Sequence, residues 1–330
     1  QLPKKLAELG VRTIPMDMLD IANAEISDES LHSQIYWTYG QKILRAAEII
    51  KKDPRLFAIY LSNFGCGPDS FLLTFFKDIM AQKPCLQLEI DEHSADAGVI
   101  TRLEAFFESL KHYHDKKQPQ ELTVKAPQKT IDSGRKLYIP YMSDCAYGIA
   151  ACFRAYGQPA EVMPIADDSA LLQGRKLTTG KECLPCAITT GDMLRVVTAE
   201  DFDSQKAAFL MPGSSGPCRF GMYNCMHRLI LRYAGAEDVP VISPNQDGSF
   251  YKDFTASING SATGNFMKDL WTAAVGVDLL AKLILRLRPF AKDTRQAQQL
   301  YEKSLNRWVG AIEKRSSLSR LCSLMDNIAE

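Results

Sequence analysis

Short apolar runs that end in glycine- or proline-rich loops, each followed by a helical stretch, recur along this chain and constrain its fold more than any other feature. Residues 56–61 read as a buried strand that runs into a loop around Cys66, and Pro68 suits the first turn of a helix over 69–80. Residues 85–91 alternate apolar and polar side chains as a second strand, with a helix over about 95–113 behind it. The pattern resumes with strands at 136–140, 160–164, 207–211 and 239–243, and helices over 146–156, from Cys183 to 197, and over 220–234. Such alternation predicts parallel sheets with helices on both faces. The last third reads as helices over 265–287, broken before Pro289, and 293–314.

The expected architecture is therefore α/β. Two Rossmann- or flavodoxin-like parallel-sheet domains occupy 1–125 and 126–262, and a helical segment occupies 263–330. A polar stretch rich in Lys, Gln and Pro over 114–134 reads as the linker between the two sheets. At 330 residues the chain is long enough for two or three packed domains. The chain opens at Gln1 as if inside a domain, the pattern of a fragment of a longer polypeptide.

Charge excludes some partners. Lys and Arg total 39 and Asp and Glu total 39, so no basic excess points to nucleic acid or an anionic membrane surface. The longest apolar run, around 272–284, is interrupted by Asp278 and Lys282 and falls short of a membrane span. Nine cysteines in a chain of this size, several of them within apolar segments, do not form the pattern of a secreted disulfide framework. A reducing cytoplasm with thiols available as metal ligands is the expectation.

Cys183 and Cys186, two residues apart in Gly180-Lys181-Glu182-Cys183-Leu184-Pro185-Cys186, carry the strongest chemical signal. Two thiols at a helix N-terminus are suited to one metal or cluster, since the positive end of the helix dipole stabilises thiolate. A thioredoxin-like redox pair and two buried structural cysteines are the alternatives. Cys66 lies in Gly65-Cys66-Gly67-Pro68, and Cys218 in Gly213-Ser214-Ser215-Gly216-Pro217-Cys218-Arg219. Both follow predicted strand ends, where ligands collect in open parallel sheets. Glycines there let the backbone approach closely and leave N–H groups free for sulfur or for an anion such as a CoA phosphate. Cys66, Cys183, Cys186 and Cys218 would together make a four-thiolate site for an iron–sulfur cluster or for zinc. Gly65, Gly67, Gly216 and Arg219 are the expected cofactor contacts. Cys145 and Cys152 read mainly as packing residues, Cys145 and Cys225 as spare ligands, and Cys85 and Cys322 as packing residues. The acidic run 89–93 reads first as a solvated strand end with helix-capping acids, with the positioning of a substrate or metal as the alternative, and the histidines show no metal spacing.

Taken together, Ser62-Asn63-Phe64-Gly65-Cys66-Gly67-Pro68-Asp69-Ser70, Leu88-Glu89-Ile90-Asp91, Tyr138-Ile139-Pro140-Tyr141, the CxxC segment with Thr189-Thr190-Gly191-Asp192, and Gly216-Pro217-Cys218-Arg219-Phe220-Gly221 resemble the 2-hydroxyacyl-CoA dehydratase superfamily. Within it, the chain is most similar to the dehydratase-like module of large activase-related proteins. The resemblance implies an oxygen-sensitive protein with a 4Fe-4S cluster or an 8Fe-9S double-cubane cluster. It implies low-potential electrons delivered by an ATP-hydrolysing activator, itself a partner or another part of the same polypeptide, and passed to a small substrate such as an acyl-CoA. A homodimer is compatible with it. A non-catalytic module with a structural zinc is the alternative.

Overall fold

A computed structural model describes residues 2–91, 96–113, 134–244 and 264–329. The chain divides into two compact units, Gln1–Ala126 with Thr178–Cys183, and Pro127–Leu177 with Leu184–Glu330. The linker expected at 114–134 lies, apart from Gly134, outside the described residues, as do Glu92 and His93 of the acidic run.

The first unit is mixed α/β. Helices α1 (Leu2–Glu8), α2 (Glu29–Gln34) and α3 (Thr38–Lys52) precede strand β1 (Ala58–Ser62), helix α4 (Asp69–Met80), strand β2 (Cys85–Glu89) and helix α5 (Asp96–Lys111). β1 and β2 pair in parallel, with Ala58 opposite Cys85 and Ser62 opposite Glu89. Parallel neighbours need a crossover, and α4 supplies it. That helix is buried on most sides through Phe71, Leu72, Phe75, Phe76 and Met80, so its run is apolar almost throughout. Leu72 packs against Gly40 of α3, where an added Cβ would lie 3.0 Å from the leucine methyls. Leu6, Leu88 and Leu103 form a cluster that Ile59, Leu86, Val99 and Phe107 extend. The Lys83 ammonium closes the C-terminal end of α3, donating to the Ile50 and Asp53 carbonyls at 2.6 Å each.

The second unit carries strands β3 (Lys136–Ile139), β4 (Ala160–Val162), β5 (Ala207–Leu210) and β6 (Val241–Ile242), paired in the order β4-β3-β5-β6 and all parallel. Its helices are α6 (Cys145–Ala155), α7 (Asp168–Lys176), α8 (Leu184–Val197), α9 (Tyr223–Tyr233), α10 (Gly264–Leu287), α11 (Thr294–Glu313) and α12 (Leu318–Ala329). The three C-terminal helices share one core with the sheet: Leu137, Ile139, Phe153 and Ala208 lie in the same cluster as Phe266, Ala273, Val277, Trp308 and Leu321. Two close helix approaches depend on missing side chains. At the α7–α8 crossing an added Cβ on Gly174 would overlap the Ala187 carbonyl, and one on Gly191 the Ala170 carbonyl. Between α10 and α11 the Trp308 indole lies over Gly276, and its Nε1–H donates to the Ala273 carbonyl at 3.1 Å.

The strand order places a topological switch point between β3 and β5. The chain leaves β3 toward β4 on one side and leaves β5 toward β6 on the other. The crevice beyond the carboxyl ends of these two strands is where open parallel sheets take ligands.

Candidate metal centre

In the first unit the Cys66 loop grows directly from the end of β1. Phe64, Gly65 and Gly67 all have left-handed backbones, with φ of 60°, 60° and 59°. Gly65 and Gly67 adopt this at little cost, whereas the side chain of Phe64 makes it unfavourable by about 1 kcal/mol or more. Hydrogen bonds hold the loop in this shape. Ser62 Oγ accepts from the Gly65 amide at 3.0 Å and donates to Asp69 Oδ2 at 2.8 Å, while Tyr60 donates to Asp69 Oδ1 at 2.8 Å. The Cys66 amide donates to the Asn63 carbonyl at 3.2 Å, and the Cys66 side chain is exposed.

The segment that leads into the CxxC pair is fastened to this loop. Lys181 Nζ donates to the Phe64 carbonyl at 3.1 Å and to Glu89 Oε2 at 3.0 Å. Its methylene stem covers Gly65, where an added Cβ would stand 3.4 Å from Lys181 Cδ. Gln87 Nε2 donates to Glu89 Oε1 at 3.1 Å and steadies the carboxylate. Glu182 accepts from the Thr179 amide and hydroxyl, each at 3.0 Å, and from Thr74 Oγ1 of α4 at 3.4 Å. The run from Gly180 to Cys183 thus lies beside the Cys66 loop within one compact unit. Glu89, read from sequence as part of a solvated strand end, is an ion-pair partner.

Cys183 immediately precedes α8, and Cys186 is the third residue of that helix, with Pro185 in the first turn. The Cys186 side chain is fully buried, and Cys183 is half-buried. One turn on, Thr189 Oγ1 donates back to the Pro185 carbonyl at 3.0 Å and sits 3.2 Å from His227 Nε2 of α9. The Thr189 hydroxyl thus ties the imidazole of His227 to the first turn of α8. Burial depresses His227 to about 3, with Arg228 adding to the effect. Asp192, on the same helix, is fully buried. Its Oδ2 has no hydrogen-bond partner among the described residues, and burial pushes its carboxyl up to about 6 against the opposing pull of Arg195.

In the second unit the Cys218 loop continues β5. The Met211 amide donates to the Ile242 carbonyl at 2.9 Å and the Gly213 amide to the Pro244 carbonyl at 3.0 Å, which carries the ladder beyond the strand. The Gly216 amide turns back onto Ser214 Oγ at 3.4 Å. Cys218 is exposed and precedes the single helical turn Arg219–Met222, so Arg219 begins that turn. Across the same crevice, beyond β3, Asp144 accepts from the Tyr141 hydroxyl at 2.7 Å and from the Tyr301 hydroxyl of α11. Burial and the Asp144 carboxylate push the Tyr141 phenol up to about 12.

The other cysteines divide by environment, and no disulfide joins any of the nine. Cys145 donates to Asp278 Oδ1 at 3.1 Å; burial first, then that carboxylate, raise its thiol to about 11. Cys152 is fully buried and raised to about 12 by burial. Cys225 is buried with Arg228 Nη2 donating to its sulfur at 3.5 Å. Among the described residues no group of three or more His, Cys, Asp or Glu is arranged to hold a metal ion. The donor chemistry of Cys66, Cys183, Cys186 and Cys218, four thiols outside any disulfide, nonetheless suits iron–sulfur or zinc.

Sequence reading missed Lys181, the Thr189–His227 pair and the Tyr141–Asp144–Tyr301 network. Lys181, Thr189 and Tyr141 had a visible signal, because each stands inside a motif segment quoted above, whereas His227, Asp144 and Tyr301 had none. Among the described residues no helix is long and apolar enough to cross a membrane. Compared with protein-family models, curated proteins and solved structures, the chain matches none.

Proposed function

We propose that this chain is an iron–sulfur protein of the 2-hydroxyacyl-CoA dehydratase type, with Cys66, Cys183, Cys186 and Cys218 as the ligand set. The observation that carries the reading is the Lys181 clasp, which lays the approach to Cys183 against the Cys66 loop although 117 residues separate Lys181 from Phe64. Cysteines that serve only as small hydrophobes have no need of a strained glycine loop held in register with a CxxC segment.

A bound cluster would supply one-electron chemistry at low potential. The chain's own contribution is positional. Gly65 and Gly67 shape the loop that presents Cys66, and the first turn of α8 sets Cys183 and Cys186 one turn apart. Gly216 and Arg219 flank Cys218 beyond β5 at the switch point, the place in a parallel sheet where a small substrate such as an acyl-CoA would be received. The strand order of the second unit supports a Rossmann- or flavodoxin-like reading of that unit, and β1-α4-β2 supports the same reading of the first. Electron delivery by an ATP-hydrolysing activator rests on the motif resemblance.

Anaerobic purification with iron, sulfide and zinc analysis tests the proposal. The expected protein is brown, holds about four irons or about eight with matching sulfide, and loses them when any of the four cysteines is replaced by alanine. A colourless protein with zinc bound to the same cysteines would establish a structural four-cysteine zinc site instead. Iron retained in both Cys66→Ala and Cys218→Ala would overturn the ligand set.

A further inference from the structure

Away from the cysteine loops, the first unit holds a cleft of about 570 Å³ between the segment 20–25 and the C-terminal end of α3 with the residues that follow it. Four carboxylates line it, those of Asp20, Glu25, Glu48 and Asp53, against two cations, Lys52 and Arg55. Both cations are committed. Lys52 Nζ donates to Glu25 Oε2 at 2.7 Å, although Glu48 stands one turn before it on the same helix. Arg55 grips both oxygens of Asp53, at 2.9 and 2.7 Å. Asp20 accepts from the neutral Asn23 amide at 3.0 Å. Asp20 and Glu48 are therefore the two carboxylates of the cleft that no cation answers among the described residues.

Glu48 marks the cleft as incomplete. Its side chain is fully buried. Oε1 accepts from the Ser27 amide at 3.2 Å and from the Ser27 hydroxyl, whereas Oε2 has no hydrogen-bond partner among the described residues. A buried carboxylate oxygen without a donor is costly, and such a group calls for a partner from outside the chain. The shape of that partner follows from what Glu48 has left. One open oxygen cannot receive the two-pronged fork of a guanidinium, but it suits a single N–H of an ammonium. Among the described residues no group of three or more His, Cys, Asp or Glu is arranged for a metal ion. Ala24, Ile49 and Pro54 complete the lining with apolar surface that fits methylene groups.

We propose that this cleft binds a primary ammonium on an aliphatic stem, the end of a lysine side chain or a free alkylamine, with Glu48 Oε2 and the Asp20 carboxylate as its anionic contacts. Glu48 supplies most of the affinity, because its charged hydrogen bond forms out of water, while Asp20 is exposed and screened. Entry requires the cleft to widen, since Glu48 has no surface open to water. The Lys52 and Glu25 side chains that line the cleft are 46 % and 86 % exposed, and such a pair parts at little cost. This inference is independent of any cluster.

An NMR titration of the full chain at low salt, read at the amides of Asn23, Ala24 and Ile49, tests it with n-butylammonium chloride and Nα-acetyl-lysine methylamide. Both should saturate, with dissociation constants of about 1 mM. Tighter binding of the lysine derivative assigns the cleft to a protein side chain, and equal or weaker binding to a free amine. Glu48→Gln keeps an acceptor for Ser27 and should weaken both ligands about tenfold or more; Asp20→Asn should weaken them about threefold. N-butylguanidinium should bind less tightly than n-butylammonium, and n-butanol should not bind. Asp20 is exposed, so Asp20→Asn tests the site even where Glu48→Gln loses the fold. The proposal is overturned by a wild-type chain that shows no saturable shifts, by unchanged affinity in either variant, or by N-butylguanidinium or n-butanol binding as tightly as n-butylammonium.

Discussion

Replacing Lys181 by methionine removes the charge that clasps the Cys66 loop while keeping a stem of similar length to cover Gly65. The Lys181 and Glu89 side chains are 41 % and 36 % exposed, so solvent screens their ion pair and it contributes only about 0.5 kcal/mol. The hydrogen bond from the ammonium to the Phe64 carbonyl adds about 1 kcal/mol. Loss of both, about 1.5 kcal/mol, leaves the left-handed Phe64 backbone with less to hold it and raises the open population of the loop about tenfold. Native-state hydrogen exchange reads this directly, because the Gly65 and Cys66 amides are bonded to Ser62 Oγ and the Asn63 carbonyl only while the loop is closed. Both amides should exchange about tenfold faster in Lys181→Met, and Lys181→Arg should recover most of the protection. Because the clasp is local and partly solvated, the melting temperature should fall by no more than about 2 °C. Unchanged exchange at Gly65 and Cys66 would refute the clasp and, with it, the observation on which the ligand set rests.

Two other outcomes follow from burial and packing. Gly174→Ala should destabilise the second unit by about 3 kcal/mol, because the new methyl group overlaps the Ala187 backbone and α7 and α8 must separate to admit it; a thermal melt within about 1 °C of wild type would contradict that crossing. His227 has a folded pKa of about 3 against an ordinary 6.5, so its stabilising contribution is complete above pH 6.5 and is lost as pH falls through the range below it. Between pH 6.5 and 5 this amounts to about 2 kcal/mol, and His227→Gln should flatten that part of the stability-against-pH curve measured by urea unfolding. An identical acid slope in the variant would mean that the imidazole is not held neutral.

Much of the local structure was legible in the residues. The helix expected at 69–80 is α4, Asp69–Met80, because Pro68 opens it and a dense apolar run fills it. The CxxC pair does open a helix, and both loop cysteines follow strands, since β1 ends at Ser62 and β5 at Leu210. Turn residues and apolar periodicity are local signals, and they locate elements one at a time. Helix α7 escaped notice because it packs through Ala170 and Gly174, and a close backbone approach leaves no apolar stripe to read.

The tertiary structure alone decided which distant residues meet. Periodicity says nothing of the β4-β3-β5-β6 order, the placing of Trp308 over Gly276, or the assignment of Thr178–Cys183 to the first unit. The same holds for the candidate site. Cysteine spacing named the thiols, but Lys181 reaches Glu89 across 92 residues and Thr189 meets His227 across 38. Such pairs form because burial and unsatisfied hydrogen-bonding groups are resolved over the whole packed unit, and no local stretch of sequence contains both partners.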